Sequence, residues 1–72
     1  MGKKSDEPVF GVVSNCDSLS VREFPNIDSE IICEVLNNDT VQVVESESTD
    51  GFYKVYTQVG LEGFCEKEYI KL

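Results

Sequence analysis

Apolar and polar residues alternate with a period of two in several short runs of this sequence. Three runs have a polar residue between two apolar ones: Leu19-Ser20-Val21, Val41-Gln42-Val43 and Tyr53-Lys54-Val55. A period of two places alternate side chains on opposite faces of a β-strand, and β-branched and aromatic residues favour strands. No long window combines a helical period with an N-terminal cap, so helix is limited to a single turn. The pattern predicts an all-β chain.

The breaks between these runs have residues typical of tight turns. The turn segments are Pro25-Asn26-Ile27-Asp28-Ser29, Asn37-Asn38-Asp39, Asp50-Gly51 and Gly60. Asn and Asp tolerate a positive φ, and a glycine assists the entry into each of the last two strands. Five or six short antiparallel strands result, with one turn of 3₁₀ helix over 66–69. Because closing a sheet removes its exposed edges, we predict a small barrel.

The chain has 72 residues, which is enough for one small domain. Residues 1–8 include two lysines, a serine and two acids but no periodic apolar position, and they are predicted to be a flexible N-terminal lead or linker. The domain is predicted to span 9–72, and we expect it to be a monomer.

Fourteen acidic residues outweigh six basic ones, so the net charge is −8. A chain that cannot neutralise phosphates is repelled by nucleic acid and by anionic membrane surfaces, so we expect no nucleic-acid partner and no insertion into a membrane. No apolar stretch is long enough to insert into a membrane, and the first residues lack the apolar region of a signal peptide. The location follows from the parent protein: cytoplasmic if the chain is complete, cell wall or extracellular if it is part of a larger secreted protein.

The inventory of reactive side chains argues against catalysis and against metal binding. Histidine is absent, and the cysteines Cys16, Cys33 and Cys65 form no CxxC pair. An odd number of cysteines cannot be fully paired in disulfides, and we interpret them as small buried hydrophobic residues, with Cys16 in the most loop-like setting. We predict no enzymatic activity, no metal and no cofactor.

Seven short segments follow one another in a recognisable order: GVV (11–13), LSVREFP (19–25), ICEVL (32–36), VQV (41–43), GFYKV (51–55), GFC (63–65) and YI (69–70). In this order and spacing they resemble the bacterial SH3 family. The resemblance implies an SH3-like barrel. Four positions depart from the family pattern: Phe24 and Asp39 stand where the family has glycine, Phe52 where it prefers tryptophan and Cys65 where it prefers valine.

The resemblance also implies a ligand surface, since ligands of SH3-like barrels lie across exposed aromatic residues at the start of the fifth strand and at the C-terminal 3₁₀ turn. This points to Phe52 and Tyr69. Alternation adds Lys54, because an inward Val55 turns both Phe52 and Lys54 outward. The remaining candidate is Phe24, in a loop that the family keeps small. In the alternative interpretation, Phe52 caps a barrel mouth, Tyr69 packs under the tail and Phe24 folds back onto Ile27 or Tyr56.

Two functional hypotheses follow. The first is a non-catalytic module that recognises peptidoglycan or a peptide segment and serves in targeting or tethering. The second is a free-standing acidic intracellular protein, from a mobile element, that binds and modulates a basic protein. Its support is the acidity of two segments, one with Glu45, Glu47 and Asp50 and one with Glu62, Glu66 and Glu68. A structural or oligomerisation role through an exposed sheet edge is a third option.

Overall fold

A computed structural model describes residues 9–72, and the predicted lead at 1–8 lies outside the described residues. Seven strands follow in chain order: β1 (Val9–Val13), β2 (Ser18–Arg22), β3 (Ile31–Leu36), β4 (Thr40–Val44), β5 (Phe52–Tyr56), β6 (Glu62–Glu66) and β7 (Ile70–Lys71). The helical elements in this range are two 3₁₀ turns, Glu45–Glu47 and Lys67–Tyr69. The all-β prediction is confirmed, with the two-residue β7 added to the strands that were expected. No helix in 9–72 has the length and hydropathy to span a membrane.

All seven strands belong to one antiparallel sheet with the order β3-β2-β6-β5-β4-β1-β7. The hairpin of β2 and β3 joins the ladder of the rest of the sheet through Arg22, which pairs with Phe64 of β6. At the other end, β7 pairs with Val12 and Val13 of β1. The sheet curls into an SH3-like barrel in which β3 and β7 are the terminal strands.

The core consists of the inward faces of these strands. Nine residues are buried in one cluster: Val13, Leu19, Val21, Val35, Val41, Val43, Val55, Cys65 and Ile70. The alternation of side chains between the two faces of each strand explains which residues are buried. On β4, for example, Val41 and Val43 are buried while Gln42 between them is half-buried. On β5, Val55 is fully buried and Tyr53 packs against the cluster, which is the predicted orientation.

Gly63 of β6 lies against the neighbouring strand β2. Its partner on β5 is the buried Val55. A Cβ atom at this position would be 2.6 Å from Cγ1 of Val21 and 2.7 Å from the backbone oxygen of Arg22. Real Cβ contacts essentially never come this close. Position 63 therefore requires glycine for the approach of the two backbones.

The turns differ in detail from the sequence prediction. In the β3–β4 turn the positive φ belongs to Asn38 (75°), whereas Asp39 accepts a hydrogen bond from the Leu36 amide through Oδ2 at 2.8 Å. Before β6, Gly60 has a φ of 91°, as a glycine-assisted turn requires. Gly51 is not among the described residues with positive φ, so the entry to β5 uses no left-handed glycine.

Candidate functional site

The structure brings Phe52, at the start of β5, next to the C-terminal 3₁₀ turn. Phe52 pairs with Glu66, the last residue of β6, and the amide of Lys67 donates a hydrogen bond to the Gly51 carbonyl at 3.0 Å. Phe52 is half-buried and is not a member of the core cluster. We call Phe52, Glu66 and the turn Lys67–Tyr69 the β5 corner.

Tyr69 closes the β5 corner from the C-terminal side. Its ring is half-buried and packs against the core, and its backbone oxygen accepts a hydrogen bond from the Ser14 amide at 2.9 Å. The charge of Glu68, and then its hydrogen bond with the phenol, raise the pKa of Tyr69 above its ordinary value. The phenol is therefore neutral at physiological pH.

Lys54 lies on the same face of β5 as Phe52, and its ammonium group already has protein partners. Nζ is 2.9 Å from Oε1 of Glu47 and 3.4 Å from Oε1 of Glu62, and it lies 5.3 Å from the centre of the Phe64 ring. The hydrogen bond from Lys54 to Glu47 is the main cause that raises the pKa of Lys54. The two acidic segments of the sequence thus meet on either side of this lysine.

We expect Lys54→Met to lower the free energy of unfolding by about 1 kcal/mol at neutral pH, because it keeps the aliphatic stem but removes the ion pairs and the cation–π contact. Urea denaturation measures the loss, which should shrink as salt is added. Lys71→Met is the control, since Lys71 is exposed on β7. Equal effects of the two substitutions would mean that the contacts of Lys54 add nothing to stability.

Phe24 projects from the loop between β2 and β3 with 57% of its surface exposed. Ser29 stabilises this loop through two hydrogen bonds of 2.8 Å. Its Oγ accepts one from the Phe24 amide, and its backbone oxygen accepts one from Nη1 of Arg22. Ile27 is 63% exposed, so the ring of Phe24 is not buried against it.

Phe24 lies toward the start of β6, whereas the β5 corner lies at its end. Arg22 pairs with Phe64 in the antiparallel sense, so the chain beyond Arg22 leads toward Glu62. Phe52 instead pairs with Glu66 at the other end of β6. The structure places Phe52 and Lys54 on one face of β5, joins the start of this strand to the turn that contains Tyr69, and leaves Phe24 apart from them.

A groove of about 200 Å³ runs along β3, and the four predicted site residues do not line it. Its walls include Cys33, Glu34 and Val35 of β3 on one side and Val59 and Leu61 of the β5–β6 turn on the other. Faces alternate along a strand, so lining by three consecutive residues means that the groove follows the backbone of β3. We call it the β3 groove.

A second surface feature crosses the outer face of four strands. Phe10 pairs with Gln42, Gln42 pairs with Tyr56, and Tyr56 pairs with Glu62. Phe10 is 55% and Tyr56 37% exposed, and a shallow groove joins them over Gln42. This row places aromatic rings on alternate strands.

A family model described as bacterial SH3 domain matches residues 17–71, which is more than half of the chain. The chain belongs to the bacterial SH3 domain family. No curated protein matches it. SH3 domains are generally binding modules for proteins and peptides rather than enzymes, so the family assignment supports a binding module.

The cysteines of this bacterial SH3 domain are free thiols in or near the core. Burial raises the pKa of Cys65 to about 12, with smaller contributions from Cys33, Cys16 and Glu66. Burial also raises the pKa of Cys33. Cys33 and Cys65 are therefore poor nucleophiles at neutral pH. Residues 9–72 contain no group of three or more His, Cys, Asp and Glu side chains arranged to hold a metal ion.

Sequence reasoning did not find the β3 groove or the aromatic row. Ile31, Ile32 and Leu36 give β3 more apolar residues than a strict alternation requires, but none of the three lines the β3 groove or the aromatic row. All three are exposed in the bacterial SH3 fold, at 47%, 42% and 60%.

Proposed function

We propose that this bacterial SH3 domain is a non-catalytic binding module that recognises a peptide segment and serves in targeting or tethering. The peptide is either part of a protein or the cross-bridge of peptidoglycan. The proposed contacts are Phe52 and Tyr69 of the β5 corner with Lys54 beside them, and Phe24 is a separate apolar anchor on its loop.

The position of Phe52 is the main support for this proposal. An aromatic ring offers a large contact area at a low cost in conformational entropy, and this one is half-exposed beside a polar turn. An apolar ring bordered by acidic side chains suits a neutral or basic peptide better than an anionic wall polymer. Glu66 is the cross-strand neighbour of Phe52, and Glu68 lies beside the phenol of Tyr69.

A pair of pull-downs with one tagged domain tests the proposal, one on purified bacterial wall and one on a bacterial lysate, each at low and moderate salt. We expect retention that survives moderate salt. Phe52→Ala should lower it at least about fivefold, because truncating a central aromatic contact removes much of the binding energy. Phe10→Ala is the matched control, since Phe10 is an exposed ring on β1 outside the β5 corner.

The two pull-downs distinguish a peptide of the peptidoglycan cross-bridge from a peptide segment of a protein. Retention on wall supports a cross-bridge, and salt-resistant capture of a protein from lysate supports a protein segment. Capture of one basic protein that salt releases, with equal binding by Phe52→Ala, would instead support the acidic modulator. Thermal melting of both variants shows whether a loss of binding reflects a loss of folding.

A further inference from the structure

One side of β3 has no strand partner among the described residues. In the sheet, β3 is the terminal strand and pairs with β2 alone. The amide of Leu36 donates to Asp39 and its carbonyl accepts the Asp39 amide, so the backbone groups of Leu36 face away from β2. In an antiparallel ladder the N–H and C=O of every second residue face the same side. The backbone of Glu34 therefore faces away from β2 as well, beyond the reach of the Asp39 turn.

The β3 groove continues from this unpaired edge. No residue of β2 lines it, and its far wall is the β5–β6 turn, where Val59 is 81% and Leu61 42% exposed. A strand added to the edge would share the faces of β3. Its inward side chains would lie with Cys33 and Val35 against this apolar wall, and its outward ones would lie with Glu34.

The charge around the edge selects the partner. Glu34 and Asp39 line the groove, and the described lining residues include no Lys or Arg. A second copy of this chain is a poor occupant, because antiparallel self-pairing about Glu34 brings like charges together in a chain of net charge −8. The bulge at Ile32, where Val21 pairs with Cys33 but Arg22 with Ile31, confines an added strand of any origin to the part of the edge around Glu34.

From this geometry we propose that the edge of β3 binds an extended peptide segment in which apolar residues alternate with lysine or arginine. The segment pairs with the backbone of Glu34, its apolar side chains occupy the β3 groove, and its basic side chains face the carboxylate of Glu34. This surface is distinct from the β5 corner and shares no proposed contact with it.

The probe is a capped heptapeptide of alternating lysine and valine, titrated by calorimetry at low and moderate salt. Glu34→Lys should weaken its binding about tenfold, because an attractive cross-strand charge becomes repulsive. Glu45→Lys is the matched control, with the same change in net charge at the exposed Glu45 of the first 3₁₀ turn, and it should leave affinity within about twofold.

Two further measurements isolate the backbone pairing. Binding should slow hydrogen exchange at the Glu34 amide, and a probe with N-methyl groups at alternate residues on its pairing side should bind at least about tenfold more weakly. Val59→Ser removes an apolar side chain from an exposed groove position without a change in net charge and should weaken the valine contacts, which keeps the proposal testable if Glu34→Lys unfolds the domain.

The proposal is overturned if the probe does not bind, if the N-methylated probe binds equally well, or if Glu34→Lys and Glu45→Lys weaken binding alike. Sedimentation that shows a dimer abolished by Glu34→Pro would assign the edge to a second copy and also overturn it. Phe52→Ala should not affect this binding, so failure of this proposal and failure of the β5 corner proposal are distinguishable.

Discussion

Alanine at position 63 is expected to lower the free energy of unfolding by about 3 kcal/mol and the melting temperature by roughly 15 °C. The added methyl group would collide with Val21 and with the backbone oxygen of Arg22, and a backbone oxygen cannot move without displacing β2. Because the core of so small a domain supplies only about 3–5 kcal/mol, a large part of the variant should be unfolded at physiological temperature. Urea denaturation and thermal melting measure both quantities.

Two companion variants make this result specific. Gly51→Ala should be nearly neutral, because a Cβ there meets no atom within 4 Å. The double variant Val21→Ala with Gly63→Ala should not recover stability, since it removes one close contact and leaves the other at 2.7 Å from Arg22. Recovery in the double variant would mean that side-chain crowding, and not the approach of the β2 and β6 backbones, requires glycine at this position.

The alternation of Tyr53, Lys54 and Val55 was enough to predict which face of β5 is buried. A half-buried strand cannot shift by one residue without exposing its whole apolar face, so sequence and orientation are tightly linked. The same argument holds for Val41 and Val43 on β4. The prediction of strands and of an inward Val55 needed only this local rule.

The 3₁₀ turn Glu45–Glu47 could not be predicted by a local rule. Its N-terminal end has no side-chain cap. The hydroxyl of Ser48 instead donates to the Val44 carbonyl at 2.9 Å and accepts the amide of Lys54 at 3.0 Å. The turn thus depends on a contact with β5 that exists only once the sheet has formed.

The environment of Lys54 and the β3 groove also depend on how distant segments meet. Alternation predicts that Lys54 faces outward, but Glu47 and Glu62 reach it through the register of β5 with its neighbours. Likewise, the composition of β3 does not show that one of its edges is unpaired, because the strand order decides this. Sequence patterns identify faces of elements, and the topology decides which faces stay open.

Alkaline pH should destabilise this domain through Cys65. Its side chain is fully buried, and its pKa in the folded state is about 12 against an ordinary value of 9.0. Above about pH 9 the unfolded chain releases the thiol proton while the folded chain retains it, so folding stability falls by about 1.4 kcal/mol per pH unit until the folded pKa is reached. Below the ordinary pKa both states are protonated, and the thiol contributes no pH dependence.

Urea denaturation at about pH 8 and about pH 10.5 measures this effect, and the parent should lose about 2 kcal/mol more than Cys65→Val between the two conditions. Lys54, Tyr69 and Cys33 also have raised pKa values, but they titrate in both proteins and cancel in the comparison. Cys65→Ala serves as a second reference, since it leaves a cavity where valine fills the space. The two variants should differ in stability at neutral pH and share the shallower alkaline decline. Parallel declines of the parent and both variants would mean that the thiol of Cys65 ionises in the folded barrel as readily as in the unfolded chain.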